Sequence, residues 1–247
     1  VYCKMFGGNE VQHFYEEDLT LNTDKFKEKI NQKTKLVILS NPAHTGTVIP
    51  QKKIFEIIDY ASSNNSLVIV DEAYHHFSKE TMIDHVDNFD NLIVTRTFSK
   101  AFGLASLRIG LLISNNKMID ELYKVKLVHE ITGVAAKIGI YLLDNMEIVN
   151  NYVMDVNRGK KIIYKRLEEI GFTFFRSEAN FVFFKSIKKI NTSDLIFFLK
   201  KKNIFIKGPF CKHPFDDHLR ITIGDAKQMN IFCDAIIEFF NNKRLEN

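Results

Sequence analysis

The chain has no tryptophan, few cysteines and no long apolar run. Each shortage narrows what it can be. The missing Trp is offset by 22 Phe in 247 residues, so phenylalanine is expected to fill much of the core. Cys3, Cys211 and Cys233 show neither paired nor metal-type spacing. They suit a reducing cytoplasm, where a buried thiol behaves as a small apolar group. No stretch reaches the length of a membrane-crossing helix, and the first residues lack a secretory charged and apolar pattern. A large charge surplus is also lacking: 34 basic and 30 acidic residues leave +4. The one sharp basic run, Lys200 to Lys202, follows an apolar helical stretch and reads as a solvated helix end. Nucleic acid is therefore not expected as a partner, nor is a membrane.

Two phosphate-binding motifs are absent as well. LVIVDEA, residues 67–73, could be the Mg²⁺ strand of a nucleotide hydrolase, but no G-x-x-x-x-G-K-[ST] accompanies it. Gly159-Lys160 lacks the earlier glycine and lies in a helical stretch, and G-x-G-x-x-G is missing. Asp71 and Glu72 are neighbours at a strand end and point to opposite faces, so they are not expected to act as a carboxylate pair. Adjacent His75 and His76 do not make a metal site, and no metal is expected.

What is present is ordinary for a folded α/β protein: 45% hydrophobic and 26% charged residues. Short all-apolar runs at 35–40, 67–70, 91–94 and 109–113 read as buried strands, with a helix over 54–61. Such strands separated by helices imply a mainly parallel sheet covered on both faces. From Lys117 to about Leu167 the pattern is helical, and a long helix from about Asp144 to Leu167 serves as connector. Strand-like runs follow at 172–175, 181–184, 204–207 and 219–223, with helices at 193–202 and 226–241. The expected division is a large domain over 1–145 and a smaller C-terminal α+β domain over 146–247.

Ligands in such sheets bind beyond the carboxyl ends of the strands. Three polar segments stand there: Ser40 to Thr47, Asp71 to Tyr74, and Thr95 to Lys100. Together they offer an amide, a carboxylate, a phenol, hydroxyls and an amine at one sheet edge, an arrangement three unrelated loops would produce only by coincidence.

The runs SNPxxTG, VDEAYxxF, TFSKAFGLASLRIG and LRITIG, in this order, resemble the fold type I enzymes dependent on pyridoxal 5′-phosphate (PLP), above all histidinol-phosphate aminotransferase-like enzymes. The resemblance covers essentially the whole chain. It implies that Lys100 holds PLP as an internal aldimine and then shuttles a proton, that Asp71 keeps the pyridine nitrogen protonated, and that Tyr74 bonds the ring oxygen, with Asn41 as a second partner. Arg108, Ser99 and Thr97 would hold the phosphate. Arg220 would grip the substrate α-carboxylate, with Asn180 near the substrate. It further implies a homodimer acting on a small amino acid and a keto acid.

Three departures stand out. The loop reads NPAHTG, one residue shorter than the family's usual form, which brings His44 into Asn41's neighbourhood. NIFIKGPF carries Lys207 where relatives often have a phosphate-binding arginine. The family's N-terminal part has no counterpart, so a fragment or truncated product is expected. Two alternatives stay open: a PLP-dependent decarboxylase of a phosphorylated amino acid, and a non-catalytic homologue.

Overall fold

The computed structural model describes residues 2–128, 130–187 and 190–245. The first sheet takes its strands from the apolar runs: β1 (Leu36–Ser40), β2 (Leu67–Asp71), β3 (Leu92–Thr97) and β4 (Gly110–Ile113). They lie in that order; β1, β2 and β3 are parallel and β4 is antiparallel to β3. Two short helices, α1 (Tyr2–Met5) and α2 (Thr23–Lys27), precede the sheet, and α3 (Gln51–Ser63) crosses from β1 to β2.

Helix α3 forms because its apolar residues recur at helical spacing. Ile54, Ile57, Ile58 and Ala61 are all buried and pack on Val37, Leu39, Val68, Val70, Leu92 and Val94. Successive strand residues point to opposite faces, so Leu36 and Ile38 turn away from this core. They are 45% and 61% exposed. Among the described residues nothing buries this face of β1 at Leu36 and Ile38.

Beyond β4 come α4 (Asn116–Tyr123), α5 (Gly133–Asp144) and α6 (Met146–Ile170). Helix α6 buries Val149, Val156, Ile163 and Leu167 along one stripe and is closed by Gly171 at φ +90°, the left-handed residue that caps a helix end. Gly159 lets it approach the chain at Gly224: a Cβ there would collide with the Gly224 carbonyl. The long helix expected over about 144–167 is α6, and it belongs to the second core.

That core surrounds a fully antiparallel sheet of β5 (Phe172–Phe175), β6 (Phe181–Ser186) and β7 (Leu219–Thr222). Helix α7 (Thr192–Lys201) and α8 (Ala226–Leu245) complete it. Phenylalanine dominates, as the composition implies: Phe172, Phe181, Phe183, Phe184, Phe232 and Phe239 are all buried. The strand expected at 204–207 is reduced to one bridge, Lys207 to Arg220. The next residues explain why. Gly208 sits at φ +123° and Pro209 has no N–H for a ladder.

Candidate active site

Register brings the carboxyl ends of three strands into one row. Ser40 pairs with Asp71, and Asp71 with Thr95. The loops leaving that row enclose a cleft of about 380 Å³ lined by His44, Asp71, Tyr74, Thr95, Thr97, Ser99, Lys100 and Arg108, among others.

Each side chain is held by local structure. Asp71 ends β2; its Oδ1 accepts from the Ala73 N–H at 3.1 Å and from Thr95 Oγ1 at 3.4 Å. Tyr74 is 6% exposed and packs edge-on against Phe181, with ring centroids 5.4 Å apart. Lys100 rides a tight turn after β3, closed by Gly103 N–H to the Lys100 carbonyl (3.0 Å) and Leu104 N–H to the Phe98 carbonyl (2.8 Å). Buried Phe98 anchors this turn. Lys100 Nζ then stands 5.1 Å from the Tyr74 ring centre, a cation–π distance. Thr97 Oγ1 accepts from the Ser99 N–H at 3.1 Å, which fixes the turn's start. Arg108 adopts φ +54°, and its Nη1 donates to the Ala105 carbonyl at 2.9 Å.

Arg220 on β7 joins this group through aromatic rings. Its guanidinium lies 5.0 Å from the ring centre of Phe181, the residue that supports Tyr74, and 5.7 Å from Phe183. Lys207 is exposed beside it, its backbone bonded in both directions to Arg220. Lys100, Tyr74, Phe181 and Arg220 form one chain of contacts from cleft to small sheet.

One expected residue, Asn41, is placed differently. Asn41 is 1% exposed, and its amide is engaged by the backbone of Ile49: Oδ1 accepts from the N–H at 2.7 Å and Nδ2 donates to the carbonyl at 3.2 Å. It clamps the loop after β1 and does not line the cleft; His44 does. Asn180 is 9% exposed, and its carbonyl accepts from Ile223 N–H at 2.7 Å, which ties the start of β6 to the end of β7.

Sequence reasoning gave no role to Arg96. Its Nε and Nη2 donate to Glu72 Oε2 at 3.0 and 2.9 Å, and Nη2 also donates to Thr81 Oγ1 at 2.8 Å. Glu72, only 1% exposed, further accepts from the Thr81 hydroxyl and the Met82 N–H. A signal was available. Asp71 and Thr95 are in register, so the residues that follow them fall side by side, an acid beside a base.

A second cleft of about 370 Å³ lies near this pair, lined by His75, His76, Arg96, Phe102 and Met146 among others. Burial, with Arg96 nearby, pushes the His75 imidazole down to about 3 and that of His76 down to about 4, from 6.5. The folded state therefore binds fewer protons than the unfolded chain below pH 6.5. The stabilisation from keeping both rings neutral is intact above about pH 6.5 and is lost as pH falls toward 3 to 4. Urea midpoints measured from pH 7 to pH 5 should fall less steeply for the His75→Gln/His76→Gln double variant. Equal slopes would contradict this assignment.

The sequence model of the family described as aminotransferase class I and II matches residues 1–236. This chain belongs to that family. It is 33% identical over 244 residues to a histidinol-phosphate aminotransferase of Caldanaerobacter subterraneus subsp. tengcongensis, covering 98% of this chain and 68% of that one. Its fold matches the histidinol-phosphate aminotransferase of Clostridium acetobutylicum at a TM-score of 0.87, with 25% identity and coverage of 97% and 74%. It also matches that of Sinorhizobium meliloti, solved in complex with pyridoxal 5′-phosphate, at 0.82 with 22% identity, covering 98% and 67%. The chain thus spans about two thirds to three quarters of these relatives' lengths.

The class I and II aminotransferases are PLP-dependent. The residues of the cleft suit that cofactor. A guanidinium and two hydroxyls are a phosphate's natural partners, a carboxylate suits a protonated pyridine nitrogen, and an amine is the group that meets an aldehyde. No helix of the described residues is long and apolar enough to cross a membrane.

Proposed function

We propose that this chain moves an amino group between a small amino acid and a keto acid or other carbonyl compound, with PLP held in the cleft around Lys100. One observation carries this reading: Asp71, Tyr74, Ser99, Lys100 and Arg108, from two different loops, line the same cleft.

When bound, the cofactor draws electron density from the substrate Cα. The chain's own residues do the rest. Asp71, braced by Ala73 and Thr95, holds a proton on the ring nitrogen. Tyr74 would hydrogen-bond the ring oxygen. Ser99, Thr97 and Arg108 bind the phosphate. Lys100 Nζ would carry the proton on and off the substrate Cα. Its fixed turn keeps that short transfer in line.

Arg220 takes the substrate carboxylate. Among the described residues it makes no ion pair, so its planar donors remain available. Arg220→Ala should raise KM by about 10- to 100-fold, the loss of one or two charge-assisted hydrogen bonds. Arg220→Lys should recover only part of this, because an ammonium lacks the fork. An unchanged KM for both variants would remove Arg220 from the substrate site. Lys207, adjacent to it, is assigned to a phosphate on the substrate, and Asn180 supports the same wall.

A homodimer is part of this reading. Tyr123, Val125, Leu127, Val128, Ile131 and Val134 leave an apolar stretch exposed, which a second copy would cover. A cytoplasmic setting accords with three free cysteines. The two units meet near residue 145. The experiment for the reaction is direct. Keto-acid-dependent amino transfer is expected from histidinol phosphate or a similar amino donor; CO₂ release without amino transfer would show a decarboxylase instead.

A further inference from the structure

We infer that His44 hydrogen-bonds the ring oxygen of the pyridoxal cofactor, in the place that Asn41 cannot reach. This rests on the cofactor reading above and assigns a residue that this chain's shortened loop brings to the cleft.

Asn41 is unavailable for structural reasons. Turning its amide toward the cleft would strand the N–H and the carbonyl of Ile49, and each unpaired buried group costs about 1–3 kcal/mol.

The same loop presents His44 instead. Ala43 N–H bonds to the Thr47 carbonyl at 2.8 Å and Gly46 N–H to the Ala43 carbonyl at 2.9 Å, so residues 43–47 close into a tight turn. Its tip is pinned from the small-sheet side: Glu178 N–H donates to the Gly46 carbonyl at 2.7 Å. Gly46 itself has φ +89°, and Ser177 fills the space a Cβ would need. Only glycine fits there. The turn cannot swing away, and His44 is held at the cleft.

Position decides which part of the cofactor His44 meets. The strand order places β2 between β1 and β3. His44 leaves β1, while Ser99, Lys100 and Arg108 follow β3. Asp71 and Tyr74, from the β2 end, lie between them. His44 is therefore across the cleft from the phosphate donors, and on Tyr74's side: its ring meets the Tyr74 ring at 90° with centroids 6.2 Å apart. The ring oxygen assigned to Tyr74 is the cofactor atom both can share. Neither His44 ring nitrogen has a hydrogen-bond partner among the described residues, and an imidazole can serve this oxygen as donor or acceptor.

The test uses PLP and its analogue lacking the ring hydroxyl, with affinity read from cofactor absorbance. His44→Ala should weaken PLP binding by about 5- to 10-fold, the loss of one hydrogen bond. It should also shrink the wild-type preference for PLP over the analogue. His44→Asn, which restores a donor and an acceptor, should recover part of both effects. A structural role alone would weaken both ligands equally. If the wild type attaches PLP at Lys100 but His44→Ala keeps its affinity and its preference, the inference is overturned and the cofactor reading stands. If the wild type attaches no PLP, the cofactor reading falls first.

Discussion

Lys100→Ala should lower amino transfer by at least about 10³-fold while leaving the fold intact. The expectation follows from two separate duties of one amine. In the proposed reading it holds the cofactor and moves the proton that turnover requires; positioned acid–base groups alone contribute roughly 10²- to 10⁴-fold. Among the described residues, no other lysine lines this cleft, so none can take over. The turn that carries Lys100 is closed by backbone bonds from Gly103 and Leu104, which do not depend on its side chain. Circular dichroism and urea midpoints should therefore match the wild type. PLP should still bind through Asp71, Tyr74 and Arg108, more weakly and without a covalent link. Residual turnover within tenfold of the wild type would show that the proton moves by another route.

Glu72→Ala should destabilise the chain by about 3–5 kcal/mol. Removing one partner of a buried ion pair leaves the other charge uncompensated. Here the orphan would be Arg96, whose side chain is only 18% exposed, and the Met82 N–H and the Thr81 hydroxyl would lose their acceptor too. Glu72→Gln should cost less, because an amide oxygen still accepts. Replacing both partners, Glu72→Leu with Arg96→Met, should recover much of the loss, since apolar groups leave no buried charge. Urea titration of the wild type, Glu72→Leu, Arg96→Met and the double variant forms a double-mutant cycle. A loss below about 1 kcal/mol for Glu72→Ala would mean that the pair is no more than a surface contact. The pair also matters to the site. It ties together the ends of β2 and β3, one residue beyond Asp71 and Thr95, so a loosened pair should weaken PLP binding as well.

Much of this was legible from the chain. The first sheet was readable because its strands are all-apolar and short, as buried parallel strands are. Their polar ends, beginning at Asp71 and Thr95, announced the cleft. The helix at Ile54 to Ala61 was clear from its spacing, though its true ends, Gln51 and Ser63, carry no apolar signal. Other features depend on contacts that no local pattern encodes. The run at 204–207 has strand-like residues, but Gly208 and Pro209 end its pairing. Asn41 has the right residue type for a cofactor contact; its fate was set by the backbone of Ile49 eight residues on. The exposed face of β1 was hidden for a different reason. An apolar strand looks alike whether or not anything covers it. Family resemblance supplied the roles of Lys100, Asp71 and Arg220; register and ring contacts show how the fold gathers them.

On the proposed reading, Lys100 is the amine on which the cofactor is held. Incubating the purified chain with PLP, reducing with borohydride and mapping peptides by mass spectrometry tests it in one step. The expected result is a yellow protein whose absorbance band disappears on reduction, with a pyridoxyl group on Lys100 in the peptide that contains TFSKAF. A protein that gains no band, or a label spread over surface lysines with Lys100 unmodified, would contradict it.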